Sequence, residues 1–314
     1  MKFAMVFPGQ GSQSVGMMAG YDAHPLVRGT FTEASELLGQ DLWQLAAEGP
    51  AEEINRTVNT QPLMLTADVA LYRAWRAAGG PEPVIAAGHS LGEYAALVAA
   101  GAISFADALP LVRFRAEAMQ DAVPTGAGAM AAVMGLDDAT LAQVCAEAAQ
   151  GQVVEPVNFN APAQIVIAGH REAVERAIAL AKARGAKRGL LLPVSAPFHS
   201  SLLEPAAERL AAYLARVDVR MPAISILHNA DVRNAADPAG VRDALARQAA
   251  NPVRWVETMQ ALAAAGVTHM VECGPGTVLT GLARRTVPDV TGHATNDGDA
   301  LAAALAAMAA GQGR

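Results

Sequence analysis

Short apolar runs alternate with longer helix-patterned stretches along almost the whole chain. The apolar runs predict strands at residues 3–7, 84–87, 129–134, 164–168, 190–194, 224–228 and 270–272. Between them, apolar residues recur at helical spacing, most clearly over 62–78, 105–122 and 172–184. Strands alternating with helices predict an α/β protein with a largely parallel central sheet. Residues 126–195 follow a different order: strand 129–134, helix 139–149, strands 153–159 and 164–168, helix 172–184, strand 190–194. That is the split βαβ order of a ferredoxin-like unit, inserted between two halves (1–125 and 196–314) of a larger domain. No repeat is visible. The alanine-rich end predicts a helix followed by a frayed tip.

One junction in this pattern carries chemistry. Residues 84–87 read as a buried strand and 93–100 as a helix with Gly101 as its stop. Between them, Gly88-His89-Ser90-Leu91-Gly92 must turn sharply. Glycines two residues either side of Ser90 remove the Cβ atoms that would clash, giving the G-x-S-x-G nucleophile elbow. A serine hydroxyl needs a base. Of seven histidines, His199 stands where a strand gives way to a helix, the kind of sheet end at which open α/β folds build sites. His89 adjoins the serine on a tight turn and reads as structural. His228 and His269 read as core or strand-end residues, His170 as a first-turn residue, and His24 and His293 fall in polar loops. No acid between Ser90 and His199 in chain order fits a third triad member, which favours a dyad whose imidazole is oriented by a neutral carbonyl.

On helix 105–122, Ala108, Leu111, Val112, Arg115, Met119 and Ala122 share one face. Arg113 falls on the polar side and is expected to pair with Glu117. A guanidinium in the middle of an apolar stripe needs an anion: either an internal carboxylate or the carboxylate of a substrate. The opening loop, Phe7 to Met17, has glycines, but neither the lysine nor the spacing of a phosphate loop. It reads as an ordinary turn or as a loop whose backbone and Gln10 approach a substrate oxygen.

Composition narrows the class. Hydrophobic residues make up 52% and charged ones 17% of 314 residues, enough for a large core and too apolar for disorder. The net charge of -7 argues against nucleic acid as a partner. Two cysteines without metal or redox spacing point to a reducing compartment. The first apolar run is shorter than the roughly 7–15 residues of a signal h-region, and none reaches the ~18 of a membrane span. A cytoplasmic protein without membrane attachment is expected.

Six segments in order resemble malonyl-CoA:acyl carrier protein transacylases and the related polyketide acyltransferase domains. They are FPGQGSQ at 7–13, GHSLGEY at 88–94, RFRAEAMQ at 113–120, PVSAPFHS at 193–200, QAANPVRW at 248–255 and VECGPG at 271–276. The resemblance implies an α/β-hydrolase-like large domain. It implies Ser90 as acyl-accepting nucleophile and His199 as base. The backbone N–H groups of Gln10 and Leu91 would form the oxyanion hole, and the Gln248 carbonyl would orient His199. Arg115 would hold the malonyl carboxylate, which a nearby aspartate would repel. Asn160 would face the cleft. Leu91 after the nucleophile and Phe198 before the base favour malonyl over methylmalonyl, with Met119 beside Phe198 in the acyl pocket. Malonyl-CoA and holo acyl carrier protein are the implied partners, with no metal or redox cofactor. Lys187 and Arg188, in the basic run KARGAKRG, are candidates for carrier docking, the alternative being a solvated helix end. A polyketide acyltransferase shares every motif; a serine thioesterase or a non-catalytic binding subunit fits Arg115 or the Ser90–His199 pair less well.

Overall fold

A computed structural model describes residues 2–310. Among the described residues nine strands form two sheets: β1 Phe3–Phe7, β2 Ile85–Gly88, β3 Gly128–Met134, β4 Val154–Ala161, β5 Gln164–His170, β6 Arg188–Leu191, β7 Ser225–Leu227, β8 His269–Glu272 and β9 Thr291–Ala294. The larger sheet has the order β7-β2-β1-β8-β9, and every neighbouring pair in it is parallel. The smaller has the order β4-β5-β3-β6 and is antiparallel throughout, as the split βαβ pattern predicts.

β1 shows why the parallel strands read as unbroken apolar runs. Phe3, Met5 and Phe7 pack into one core, whereas Ala4 and Val6 pack into another on the opposite face. A strand covered on both sides has no polar face to alternate with. The small sheet has its own core, built from Val133, Ile165 and Ile167 against Leu141, Val144 and Val174 of its two helices. Backbone bonds join the two sheets' surroundings: Phe159 N–H donates to Val253 O at 3.0 Å and Val253 N–H to Val157 O at 2.8 Å.

Several boundaries differ from the sequence pattern. β6 ends at Leu191 rather than 194, because Pro193 has no N–H for the ladder. β9 was not predicted: it is a short edge strand whose Thr-Gly-His-Ala sequence lacks an apolar run. Three N-terminal helices, Pro25–Leu38, Leu42–Glu48 and Ala51–Asn55, were also absent from the pattern. The first two are capped, His24 Nδ1 accepting from Val27 N–H and Asp41 from Gln44 N–H, and the first buries a face of Val27, Thr30, Phe31 and Ala34 at helical spacing. The C-terminal helix spans Gly298–Ala310; the tip expected beyond it lies outside the described residues. No helix among the described residues is long and apolar enough to cross a membrane.

The order of the large sheet sets the position of the elbow. From β1 the chain moves to β2 on one side and later to β8 on the other, so the order reverses between β1 and β8, and the elbow after β2 lies at the same C-terminal edge, one strand away. β2 stops at Gly88 and the helix Gly92–Ala99 starts four residues later. A Cβ on Gly92 would come within 2.0 Å of Phe7 O, and one on Gly88 within 1.9 Å of Gly92 C. Both contacts are with backbone, which cannot yield. Gly92→Ala is therefore expected to destabilise the protein by about 1–3 kcal/mol. Gly281→Ala, in a helix with nothing within 4 Å of the added methyl, should stabilise it by about 0.5–1 kcal/mol. Urea midpoints of the two variants check both signs.

Candidate active site

Ser90 sits at the elbow with φ +52°, and His199 has φ +65°. Left-handed backbone at non-glycine residues costs on the order of 1–3 kcal/mol each and persists only where the surroundings over-determine it. Here the surroundings do so. Ser90 N–H donates to Asn229 Oδ1 at 2.7 Å, and Asn229 Nδ2 donates to Gly88 O at 2.7 Å. His199 is gripped through its ring: Nδ1 lies 2.8 Å from Gln248 O and Nε2 lies 2.7 Å from Ser90 Oγ. A carbonyl only accepts, so Nδ1 carries the proton and Nε2 offers its lone pair to the serine hydroxyl.

Burial, then the Arg115 guanidinium, push the His199 pKa down to about 3, against the opposing pull of the Gln248 carbonyl. The imidazole is thus neutral at pH 7.

Arg115 is only 2% exposed. It donates from Nη1 to Gln61 Oε1 at 2.8 Å, and from Nη2 to Gln248 Oε1 at 2.8 Å and Ser90 Oγ at 3.2 Å. Its Cζ lies 5.3 Å from the centroid of the Tyr94 ring. Among the described residues no carboxylate forms an ion pair with it, so the internal-carboxylate alternative is not realised; every protein acceptor it meets is neutral. Burial lowers its pKa, partly offset by Tyr94 and Glu93. Arg113 does not form the expected pair with Glu117 but donates to Gln40 Oε1 instead.

A cavity of about 90 Å³ opens above these groups, lined by Gln10, Leu91, Arg115, Met119, Phe198 and His199 together with Gln61, His89, Ser90, Met130, Asn158, Leu192 and Val194. A larger concavity of about 730 Å³ around Arg28, Gln40 and Trp43 lies away from any base–nucleophile pair. Neither Gln10 N–H nor Leu91 N–H makes a backbone hydrogen bond, and Leu91 precedes the first turn of the helix Gly92–Ala99. Both remain available to a developing oxyanion. The Thr57 hydroxyl donates to Gln10 Oε1 at 3.0 Å and accepts from Gln61 Nε2 at 3.1 Å, which turns Gln61 Oε1 toward Arg115.

Asn160 departs from the expectation of a cleft residue. Its Oδ1 is taken by His89 Nε2 at 2.7 Å, and Asn158 lines the cavity instead. Irregular pairing between β4 and β5 around Pro156–Ala161 breaks the simple alternation of faces there. His89, edge-to-face with Trp255 at 5.3 Å, ties β4 to the elbow while also lining the cavity. Lys187 and Arg188 lie outside the cavity, exposed at the start of β6.

Three contributors escaped the sequence pattern, Gln61, Glu93 and Asn229; His228 is the buried strand-end residue expected, and it joins them. Glu93 is fully buried and accepts from His228 Nδ1 at 2.7 Å, Asn229 N–H at 3.0 Å and Gln248 Nε2 at 2.7 Å. Burial pulls the His228 pKa down, but the hydrogen bond and charge of Glu93 outweigh it and raise the pKa above the ordinary histidine value. The available signals were a lone acid in the otherwise apolar helix after the elbow and a polar pair directly after β7.

A model of the acyl transferase domain matches residues 4–308. The malonyl CoA-acyl carrier protein transacylase of Escherichia coli K12 is 57% identical over 305 residues, covering 97% of this chain and 99% of that protein. A crystal structure of the acyl-carrier-protein S-malonyltransferase of Burkholderia pseudomallei 1710b superposes with a TM-score of 0.96 at 61% identity, covering 98% of this chain and all of that one. A malonyl-transacylase in complex with a type II polyketide acyl-carrier protein superposes with the same TM-score at 50% identity, covering 98% of this chain and 100% of that one. With the match running through nearly every residue from β1 to the C-terminal helix, the chain belongs to the acyl transferase domain family.

Proposed function

We propose that the protein moves the malonyl group from malonyl-CoA to the phosphopantetheine thiol of acyl carrier protein through a malonyl-Ser90 ester, supplying fatty-acid synthesis. The observation that carries this reading is the position of a buried, cationic, carboxylate-free Arg115 within 3.2 Å of a serine hydroxyl that already touches its base.

Ser90 Oγ attacks the thioester carbonyl and its proton passes to His199 Nε2. The N–H groups of Gln10 and Leu91 hold the oxyanion. Its collapse breaks the C–S bond, and the proton returns from His199 to the sulfur of CoA. The carrier thiol then gives its proton to His199 and attacks the ester, and collapse restores the Ser90 hydroxyl. Each half uses the same groups, so the kinetics are ping-pong. Arg115 holds the malonyl carboxylate throughout, while Met119 and Phe198 close an apolar wall around the short acyl chain. The bound carboxylate also offsets the guanidinium charge that depresses His199, so the imidazole becomes a better base when the correct substrate arrives.

The basic residues Lys187 and Arg188 serve as the carrier dock in this reading. Lys187 precedes β6 and Arg188 opens it, the strand carries exposed Leu190 and Leu191, and the chain continues past its end to Leu192 and Val194 at the cavity. From Arg188 to Leu192 an extended chain spans about 13 Å, which leads from the basic surface to the reacting atoms.

Two results test these assignments. Arg115→Ala should lower kcat/KM for acylation by malonyl-CoA by roughly 100-fold, as expected for losing hydrogen bonds to a charged group, with far less effect on acetyl-CoA. With acetyl-CoA, the wild-type kcat/KM should hold level from pH 7 to pH 5, where a histidine at its ordinary pKa of about 6.5 would already be mostly protonated. Removing the Arg115 cation favours the imidazolium, so the acid limb should move to higher pH in Arg115→Ala. Equal loss with both substrates, or an unmoved limb, would refute the role given to Arg115. Separately, charge reversal at Lys187 and Arg188 should raise the KM for carrier and leave acylation by malonyl-CoA unchanged; an equal fall in both half-reactions would exclude docking there.

A further inference from the structure

Arg115 receives no carboxylate, yet a carboxylate lies one side chain away. Gln248 bridges the two: its Oε1 accepts from Arg115 Nη2 at 2.8 Å and its Nε2 donates to Glu93 Oε2 at 2.7 Å and to Ser90 O at 2.9 Å. We infer that Glu93 is a positioning residue for acyl selection, acting through Gln248 by fixing which end of that side-chain amide faces Arg115. The inference rests on the transacylase reading above, in which Arg115 recognises the malonyl carboxylate.

The argument follows from what each neighbour can do. An ionised carboxylate and a peptide carbonyl only accept, and a guanidinium only donates. The amide nitrogen must therefore face Glu93 and Ser90 O, and the amide oxygen must face Arg115. Turning the amide over would set N–H against N–H at Arg115 and oxygen against oxygen at both other contacts. All three hydrogen bonds would become repulsions. With the oxygen held inward, Arg115 keeps a neutral acceptor that orients the fork without cancelling its charge. Gln61, on the other side of the fork, is oriented by the neutral Thr57 hydroxyl alone. The charged anchor of the arrangement is thus Glu93.

Glu93 does not compete with the substrate for Arg115, because its charge is engaged elsewhere. Its Oε1 meets His228 Nδ1 at 2.7 Å, both side chains being buried, and its Oε2 also accepts from Asn229 N–H. The acid sits in the first turn of the helix after the nucleophile, where the helix dipole favours a negative charge. The pair therefore fixes the elbow and the selectivity of the fork together: Asn229 holds the Ser90 N–H, and Gln248 holds Arg115.

A substitution series separates this role from mere structural support. Acylation of Ser90 by malonyl-CoA and by acetyl-CoA would be measured under identical conditions, and the ratio of the two kcat/KM values compared. Glu93→Ala removes the one charged contact among the three that hold the amide, so the ratio should fall by roughly tenfold, about the value of one hydrogen bond to a charged group. Glu93→Gln should keep the ratio near that of the wild type. Its amide oxygen can take the place of Oε2, and its nitrogen can donate to His228 Nδ1 in the other tautomer. That switch breaks nothing, since His228 Nε2 has no partner. Should Glu93→Ala not fold, Gln248→Met leaves the Glu93–His228–Asn229 contacts and the backbone acceptor of His199 in place and should show the same fall. A ratio unchanged in Glu93→Ala or Gln248→Met, with both substrates slowed alike, would overturn the inference. A wild-type protein indifferent to the carboxylate would instead undo the transacylase reading and this inference with it.

Discussion

The structure around the site depends on one uncompensated charge. Arg115 is buried among neutral acceptors, and isolated burial of an ion is too costly to persist without compensation. Three amide or hydroxyl oxygens and the Tyr94 ring supply part of it. In the proposed reading an anionic substrate supplies the remainder. This charge explains why the base is oriented by a carbonyl and not by a carboxylate: an acid at that place would pair with Arg115 and repel malonate. It also adds to burial, the larger cause, in lowering the His199 pKa, so the imidazole is neutral.

Rigid backbone sets the distances on which this depends. Ser90 and His199 both hold left-handed conformations, and each is fixed by a contact from a remote segment: Asn229 for the nucleophile and the Gln248 carbonyl for the base. The parallel sheet supplies the frame, since β1, β2 and β7 all deliver their C-terminal ends to one edge of the molecule. The small antiparallel sheet forms the other wall, contributing Met130 and Asn158 to the cavity and a basic strand that approaches it.

Much of this was legible in the chain itself. Two glycines around a serine between a strand and a helix can serve few purposes other than an elbow, and a guanidinium in an apolar helical stripe announces a missing anion. β1 and β2 read clearly because strands covered on both faces leave unbroken apolar runs. The parts that escaped depend on contacts distant in sequence. Glu93 and Gln248 are 155 residues apart, and no local pattern says that a buried acid will meet an amide there. The left-handed backbone at His199 carries no glycine to mark it. Asn160 meets His89 and Asn158 lines the cavity, because irregular pairing is invisible to a period-two reading of a strand. Arg113 has a partner at helical spacing, yet Gln40 from another helix reaches it.

The most direct test of the account is the intact mass of the protein after mixing with malonyl-CoA, with Ser90→Ala beside it. The account predicts a single added malonyl group on the unaltered protein, none on the alanine variant, and loss of the adduct when holo acyl carrier protein is added. No adduct at Ser90, or hydrolytic turnover of the ester without any carrier, would contradict it.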